Sequence, residues 1–504
     1  MDKKNLHWSE IIANEVAEKT SPPYVIASGI TTSGPLHPGT LCEFLFADAI
    51  AKELGKRGET HFVFVADIMD AFDSIPGPFK KYEKLLTQHL GKPLAHTPDP
   101  EGCHRSFGEH FLAEAADAMH EFGANPEIIP ANELYAKGAY DEYAREYAER
   151  KDEIKEIVRV SSLRETMPDS WHPIMPICEK CGRVATTRVL GYSNGTYEYA
   201  CDQDVEYTKG CGHKGRAKIT DHKYKLLFRL DWPARQDFLN VKIEGGSVDH
   251  HTKGGTIATV YAVHRQFFKK PGPVVFYKFG FLKYKGKKYS KSKGIGHTVS
   301  ELMQLLPLPV LEYALLRPDL QEDKELVLEE QTLFTLVSDF EYAASIDPEK
   351  ELERADRKKA VAYSLTQGKG WKAPLQDILV TYALYKDWKD VGKRLNDPKG
   401  VTYLAPYTEQ WLSRKWIPDK YVFELKEAPH EHGKLVKQFA SSLNEKMEEQ
   451  EIQNLVYEIA KKNNVQPPEL FKSIYLALIS KPQGPKLARF VKILGIKRVK
   501  ELIG

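Results

Sequence analysis

The first third of the chain alternates short apolar runs with one long amphipathic stretch. Residues 24–27 (YVIA) are a short apolar run, and the Gly- and Pro-rich loop SGITTSGPLHPG follows. The next segment, TLCEFLFADAIAKELGKRG, is long enough for about five helical turns and ends in glycine signals at Gly55 or Gly58. The run HFVFVAD at 61–67 is typical of a buried strand. This order predicts a βαβ unit and hence a parallel sheet with a right-handed crossover.

The remainder of the chain changes its pattern three times. Residues 100–165 show helical spacing of apolar positions, whereas residues 170–220 are Gly-punctuated, Cys-bearing and rich in β-formers. A second α/β stretch begins near Tyr224, and strand signals thin out after about Pro318. We therefore predict an α/β parallel-sheet domain split by an insertion and followed by an all-α domain. The predicted boundaries are 1–95, 96–225, 226–317 and 318–504, with the Cys-bearing module at about 174–216.

Composition narrows the class of protein. The 504 residues are 42% hydrophobic and carry 72 Lys and Arg against 70 Asp and Glu, so the chain is globular and is not a polycation. Any nucleic-acid surface must come from local segregation of charge, as in residues 471–504, which hold eight basic residues and one acid. No apolar run reaches about 18 residues, and the charged N-terminus lacks the apolar stretch of a signal peptide. We expect a cytoplasmic protein without a membrane segment.

Six cysteines in a reducing compartment favour metal binding over disulfides. A Cys-x-x-Cys-Gly knuckle followed by two further cysteines matches the ligand set of structural zinc, with His213 as an alternative fourth ligand. This predicted first site consists of Cys178, Cys181, Cys201 and Cys211. A second group with four metal-ligating residues within twelve positions predicts another metal site at Asp99, Cys103, His104 and His110. Cys42 is interpreted as a small core residue.

Two loops have the composition of phosphate-binding segments. The loop TTSGPLHPGT opens a helix, where free backbone N–H groups and a positive partial charge suit phosphate, and His37 lies just before that helix. The loop YKGKKYSKSKG lies in a stretch from Lys278 to Lys293 that holds seven lysines and no acid. Such a density favours a loop that clamps a polyphosphate, although a solvated basic loop has the same composition.

These motifs resemble those of a known enzyme family. The segment His37-Pro38-Gly39-Thr40 resembles the HIGH motif, and Lys288-Tyr289-Ser290-Lys291-Ser292 resembles the KMSKS motif, of class I aminoacyl-tRNA synthetases. More specifically, ASGITTSGPLHPG, RLDWP, GGSVDHHTKGG and the tail VYEIAKKNNVQPPELFKSIYLALISKPQGPKLARF look like class I lysyl-tRNA synthetase. The resemblance spans residues 24 to about 495.

The resemblance implies a Rossmann-type catalytic domain, a helical anticodon-binding domain and a two-step reaction. Lysine attacks the α-phosphate of ATP, and the lysyl group then passes to tRNA(Lys); Mg²⁺ accompanies ATP, and zinc occupies the cysteine module. The resemblance implies catalytic roles for His37, Thr40, Lys288 and Lys291, and ATP binding by His37, Gly39, Lys288, Ser290 and Lys291. We expect a monomer that acts on lysine, ATP and tRNA.

A lysine pocket needs carboxylates for the substrate ammonium, because an unpaired charge in a pocket is costly. Asp67, Asp70 and Asp73 follow the second strand, and one of them is expected beside the substrate, while another simply caps the next segment. With those the resemblance implies, the expected substrate-binding residues are Gly29, Thr31, Glu43, Asp67, Trp232, Asp249, His250, His251 and Tyr277. Trp232 and Tyr277 are expected to sandwich the lysine stem.

Three other functions fit part of the pattern. A glutamyl-type class I synthetase would need Arg or Lys for the substrate carboxylate. A non-catalytic zinc-ribbon RNA-binding protein would have decayed phosphate loops, yet His37, Lys288 and Lys291 are present. A small-molecule nucleotidylyltransferase would not need so large a helical C-terminal domain.

Overall fold

A computed structural model describes residues 5–289, 295–347, 350 and 352–504 of the chain. Its contacts divide the chain into two compact units. The first unit contains the described residues of Met1–Leu302, Glu312–Leu326 and Pro348–Gln367. The second contains Met303–Leu311, Val327–Asp347 and Gly368–Gly504.

The first unit is organised around a five-stranded parallel sheet. Its strand order is β10 (Val275–Phe279), β9 (Ile243–Ser247), β1 (Tyr24–Ile30), β2 (Thr60–Ala66) and β3 (Glu127–Pro130). Strand β1 pairs with β2 along its whole length, from Tyr24 opposite Thr60 to Ile30 opposite Ala66. The helix between them, α2 (Pro38–Gly55), buries Phe44, Phe46 and Ile50, which is why this long apolar segment packs on the sheet. The predicted parallel α/β domain is confirmed.

The elements of the first unit, in chain order, begin with the N-terminal half of the sheet. They are α1 (Trp8–Lys19), β1 (Tyr24–Ile30), α2 (Pro38–Gly55), β2 (Thr60–Ala66), α3 (Glu83–Leu86), α4 (Phe107–Glu121), β3 (Glu127–Pro130), α5 (Ala131–Ala136), α6 (Asp141–Glu149) and α7 (Lys151–Ser161). The inserted strands follow, namely β4 (Ile174–Pro176), β5 (Arg188–Ser193), β6 (Thr196–Ala200), β7 (Lys214–Lys218) and β8 (Tyr224–Leu226).

The chain then returns to the main sheet. The elements of this return are α8 (Phe228–Phe238), β9 (Ile243–Ser247), α9 (Thr256–Ala262) and β10 (Val275–Phe279). A separate three-stranded sheet with the order β12-β11-β13 consists of β11 (Leu282–Tyr284), β12 (Lys287–Lys288) and β13 (Lys324–Glu325). The helices α10 (Val299–Leu305) and α11 (Leu308–Leu316) lie partly in each unit. Helix α13 (Arg354–Ser364) follows α12 (Glu330–Ala343) in the chain but belongs to the first unit.

Helices alone make up the regular structure of the described residues from Glu330 onward, which confirms a helical C-terminal region. Those outside the first unit are α12 (Glu330–Ala343), α14 (Leu375–Tyr385), α15 (Trp388–Arg394), α16 (Pro398–Ser413), α17 (Gly433–Ser442), α18 (Glu449–Lys462), α19 (Pro467–Ile479), α20 (Leu487–Leu494) and α21 (Ile496–Ile503). Among the described residues no single helix has the length and apolar character to cross a membrane; the bent pair α10 and α11 meets that test by length and composition only.

One expectation about secondary structure is wrong. Residues 100–165 are not wholly helical, because Glu127–Pro130 forms β3, which pairs with β2 at the edge of the main sheet. The large sheet therefore takes one strand from the segment predicted as an insertion. The boundaries between the four predicted regions otherwise stay a prediction.

Candidate active site

A cavity of about 500 Å³ opens at the carboxyl ends of the central strands. In a parallel sheet these ends lie on one edge, and the loops that follow them form the ligand site. Ten of the predicted site residues line this cavity: Gly29, Thr31, His37, Gly39, Thr40, Glu43, Asp67, Trp232, His250 and Lys288. Residues far apart in the sequence are thus brought to one place by strand topology.

His37 caps the helix that faces the cavity. Its Nδ1 accepts a hydrogen bond from the backbone N–H of Gly39 at 2.9 Å, and Pro38 takes the first helical position, where no N–H is needed. Because Nδ1 accepts, a neutral His37 ring carries its proton on Nε2. The cap therefore presents a donor beside the positive end of α2, as a phosphate site requires.

Five predicted residues do not line the cavity or cannot be placed. Asp249 lies at its rim, with Oδ2 3.1 Å from Nζ of Lys288. His251 hydrogen-bonds through Nε2 to the backbone oxygen of Tyr277 at 3.2 Å. The Tyr277 ring packs where a side chain on Gly245 would stand, and its buried hydroxyl has no hydrogen-bond partner in the described part of the chain. Ser290 and Lys291 lie outside the described residues.

Two glutamates form the acidic floor of the cavity. The Glu43 carboxylate makes no hydrogen bond or ion pair with any residue that the structure describes. Burial, and then the nearby Glu244 carboxylate, raise the pKa of Glu43 to about 8. Burial also raises the pKa of Glu244, although Arg235 and a hydrogen bond from Gln236 oppose that shift. A buried carboxyl group without a partner, such as that of Glu43, favours a cationic ligand.

A second acidic group lies beyond β2. Lys225 is 3% exposed, and its ammonium contacts Asp67 at 3.1 Å and also contacts Asp70. The other oxygen of Asp70 accepts a hydrogen bond from the Thr31 hydroxyl at 2.7 Å. Oδ2 of Asp67 is buried and has no hydrogen-bond partner among the described residues. Burial is the main cause that raises the pKa of Asp67 to about 6, and Lys225 opposes it.

Sequence reasoning missed Arg235 and Glu244, which both line the cavity. Arg235 lies 3.7 Å from Glu244 and 3.8 Å from Asp231, so its charge is shared between two buried acids. Asp231 also accepts a hydrogen bond from the Tyr140 hydroxyl at 3.0 Å. The available signal for Glu244 was an acid between Ile243 and Gly245 in VKIEGGS, whereas Arg235 had no comparable local signal.

Aromatic rings form the remaining wall. The Trp232 ring lies edge-on to the His250 ring with centroids 5.4 Å apart, and Phe228 lies 5.3 Å from Trp232. Burial lowers the pKa of His250, so this ring is neutral near pH 7. A neutral aromatic wall above acidic groups suits an aliphatic stem that ends in a cation.

A second cavity of about 720 Å³ adjoins the first. The two share Ile30, Thr31, His37, Thr40, Lys288 and Tyr289. The loop after β1 and the loop at residues 74–78 form most of its remaining wall.

The four predicted cysteine ligands converge. Their sulfur atoms lie within 4.8 Å of one another, and the pairs Cys178–Cys211 and Cys181–Cys201 are each 3.7 Å apart. A zinc ion at about 2.3 Å from four thiolates places the sulfurs about 3.8 Å apart, so the geometry fits. His213 instead contacts Glu179 at 2.9 Å and is not part of this group.

The second predicted metal group also converges. The Cys103 sulfur lies 3.1 Å from Oδ2 of Asp99, 3.1 Å from Nδ1 of His104 and 3.2 Å from Nδ1 of His110. Backbone N–H groups of Cys103 and His104 donate to Oδ2 of Asp99 and fix that carboxylate. Ligand atoms at about 2.0–2.3 Å from one ion lie at similar separations, so this donor set also fits zinc.

Comparisons with known proteins show which family the sequence matches. The family model described as "tRNA synthetases class I (K)" matches residues 6–369. A lysine–tRNA ligase of Archaeoglobus fulgidus is 31% identical over 99% of both chains. A lysine–tRNA ligase of Methanosarcina barkeri is 30% identical over 96% of this chain and 95% of its own. A solved glutamate-tRNA synthetase of Elizabethkingia anophelis overlaps 96% of this chain and 99% of its own, at 12% identity and a TM-score of 0.40.

Proposed function

Since the chain belongs to the family of class I tRNA synthetases of the lysine type, we propose that it ligates lysine to tRNA within the 500 Å³ cavity. The observation that carries the residue assignments is a pair of carboxyl groups there that have oxygen atoms without a hydrogen-bond donor in the described chain. Glu43 has no partner in the described chain, and one oxygen of Asp67 has none. Lysine brings two ammonium groups, which these two carboxylates match in number.

The charge balance favours lysine over glutamate. Four carboxylates line the cavity, namely Glu43, Asp67, Asp70 and Glu244. Two buried cations oppose them, and both are engaged, Arg235 near Glu244 and Lys225 at Asp67 and Asp70. A glutamate side chain would add a fifth acid beside these four, whereas each lysine ammonium can pair with one of them in its ionised form.

The proposed first step is attack of the lysine carboxylate oxygen on the α-phosphorus of ATP. The bond from that phosphorus to the bridging oxygen breaks, and pyrophosphate leaves with the electron pair. We assign phosphate contacts to His37 and to the backbone at Gly39 and Thr40, at the end of α2. Lys288, with Ser290 and Lys291 beyond the described residues, is assigned to the charge that develops on the phosphoryl oxygens, and Mg²⁺ to the ATP phosphates.

The proposed second step is attack of a ribose hydroxyl of the tRNA terminus on the lysyl carbonyl carbon, with AMP as the leaving group. The 720 Å³ cavity supports a path for that terminus, since it shares the His37 and Lys288 walls with the first cavity. Asp249 at the rim and His250 and His251 in the same loop are assigned to the nucleotide side of the site.

The C-terminal helical unit is assigned to tRNA binding. It has a cavity of about 530 Å³ lined by aromatic, amide and ammonium groups, among them Phe471, Tyr475, Gln450, Gln453, Lys420 and Lys486. Aromatic faces stack on unpaired bases, amides bond to base edges, and lysines contact phosphates. An unpaired segment of the tRNA fits this chemistry.

Both convergent ligand groups are assigned to zinc. The cysteine group would hold one ion in the inserted module, and the Asp99 group would hold another before α4. The chemistry that zinc supplies at such closed four-ligand sites is structural, because it contributes folding free energy.

The test is ATP–pyrophosphate exchange with each amino acid in turn, followed by aminoacylation of tRNA. We expect exchange with lysine and none above background with glutamate. Exchange with glutamate instead of lysine would establish the glutamyl alternative, and exchange with neither would support a non-catalytic RNA-binding protein.

A further inference from the structure

Lys225 reaches the active site from the inserted segment. It lies in β8, opposite Met175 of β4, and not on any strand of the main sheet. Its side chain is 3% exposed and ends between the carboxylates of Asp67 and Asp70. A buried ammonium is costly unless carboxylates receive it, so this arrangement fixes all three groups.

Asp67 and Asp70 each use one carboxylate oxygen to contact Lys225, and the second oxygen of each is available for another contact. Asp70 gives one oxygen to Lys225 and the other to the Thr31 hydroxyl. Asp67 gives Oδ1 to Lys225, whereas Oδ2 is buried without a partner in the described chain. A buried carboxylate oxygen without a donor is unfavourable, and a ligand ammonium in the cavity would satisfy it.

We propose that Lys225 is a positioning residue for the substrate, which keeps Asp67 ionised and aims its Oδ2 at an ammonium group of lysine. This inference rests on the proposed lysine–tRNA ligase activity. Lys225 does not line the cavity, so it acts through Asp67 and touches no substrate.

The charges around Asp67 explain why a cation is needed there. Asp70 follows it in the same loop, and Asp231 and Arg235 face it from α8, with Tyr140 beside Asp231. Burial and the two acids raise the pKa of Asp67, while Lys225 and Arg235 lower it, with a balance at about 6. Removing Lys225 removes the nearer cation, and Asp67 then takes up its proton at higher pH.

The decisive experiment measures KM for lysine against pH by ATP–pyrophosphate exchange. In the wild type we expect one change of slope near pH 8 from Glu43 and a second acid limb near pH 6 that Asp67→Asn abolishes. Lys225→Met should raise KM for lysine about 10- to 100-fold with a much smaller effect on KM for ATP, and should move that limb to higher pH. Asp70→Asn should move it to lower pH, because a like charge is removed.

A double-mutant cycle separates positioning from general damage. In the Asp67→Asn background, Lys225→Met should have little further effect on KM for lysine, since both act through one carboxylate. Lys225→Arg, which keeps the charge, should restore the position of the limb. Lys324→Met is the matched control, because Lys324 is 2% exposed but donates to backbone carbonyls of Leu320 and Glu322. It should leave the lysine pH profile unchanged.

Two results would overturn the proposal. One is an unchanged limb and KM for lysine in Lys225→Met; the other is full additivity with Asp67→Asn. If Lys225→Met does not fold, the Asp70→Asn variant decides. An acid limb of KM for lysine that stays at the same pH or moves to higher pH in that variant would also overturn the proposal. Wild-type protein without lysine-dependent exchange would remove the proposed function itself, which is a distinct outcome.

Discussion

The Nζ of Lys288 lies 3.1 Å from Oδ2 of Asp249, which joins the basic loop to the loop after β9 across the mouth of the cavity. Both side chains are more than half exposed, at 55% and 62%. An ion pair this exposed contributes about 0–1 kcal/mol, so a polyphosphate can displace the carboxylate at little cost. The ammonium also lies 3.7 Å from the centre of the Phe281 ring, which holds it over the cavity.

Removing the Lys288 charge should affect the chemical step more than lysine binding. We expect Lys288→Ala to lower the rate of ATP–pyrophosphate exchange about 100-fold, because its charge matters most when the phosphoryl oxygens gain charge. Lysine affinity, measured by isothermal calorimetry, should stay nearly unchanged. Lys285→Ala in the adjacent turn is the matched control, and a similar loss there would refute a specific role.

The Glu43 carboxyl should couple lysine binding to proton release. Its pKa of about 8 means that it is mostly protonated at pH 7 in the absence of substrate, and an ammonium ligand requires the ionised form. Lysine affinity should therefore rise with pH up to about 8 and then level off. Calorimetry in buffers of different ionisation enthalpy measures the released proton, and Glu43→Gln should abolish it.

Substrate analogues should show which ammonium meets which acid. Norleucine lacks the side-chain ammonium, and 6-aminohexanoate lacks the α-ammonium. We expect Glu43→Gln to lower the affinity for lysine about 10- to 100-fold. The same substitution should leave inhibition by one of these analogues unaltered, and Asp67→Asn should leave inhibition by the other analogue unaltered. Equal losses for both analogues in both variants would contradict a one-to-one match.

Metal content should be two equivalents per chain, one for each convergent ligand group. Elemental analysis of Cys178→Ser and of Cys103→Ser should each show one equivalent lost, because each removes one of four ligands. Cys42→Ser is the matched control and should retain both, since Cys42 belongs to neither group. A wild-type protein purified without zinc would exclude both sites.

The cavity of the C-terminal unit should matter for tRNA and not for lysine activation. Phe471→Ala should raise KM for tRNA by about 5- to 100-fold, as expected for about 1–3 kcal/mol of lost base stacking. ATP–pyrophosphate exchange should remain at the wild-type rate. Tyr342→Ala, at an exposed aromatic residue elsewhere in the same unit, serves for comparison, and an equal effect there would argue against a specific pocket.

The sequence was most informative where chemistry and backbone geometry coincide. The loop at His37 is predictable because Pro and Gly mark the start of a helix, and strand order then brings its neighbours together. Gly29 shows the limit of that reasoning, since only the structure reveals that a β-carbon there would stand 2.4 Å from the Val65 oxygen. The sequence shows the motif that contains Gly29, but it does not show why a glycine is required at that position.

Buried ion pairs and short strands were the least predictable features. Lys225 and Arg235 have no local signal that separates them from solvated basic residues, because their partners lie on other elements. Strand β3 has four residues and runs directly into α5, so its period is too short to read. Tertiary packing, and not the local sequence pattern, decides whether these basic residues are buried and whether this segment forms a strand.

The pairing of β4 with β8 has a thermodynamic consequence. Strand β4 ends at Pro176, two residues before Cys178, and lies opposite the strand that carries Lys225. A metal that orders the cysteine group would also order β4, and through its antiparallel pairing with β8 it would affect Lys225 and the acids of the proposed lysine pocket. Linkage is reciprocal, so if metal binding raises the affinity for lysine, lysine binding must raise the affinity for the metal by the same factor. The inserted module is then an energetic partner of the pocket, and a chelator and an amino acid should compete through it without sharing a single ligand atom.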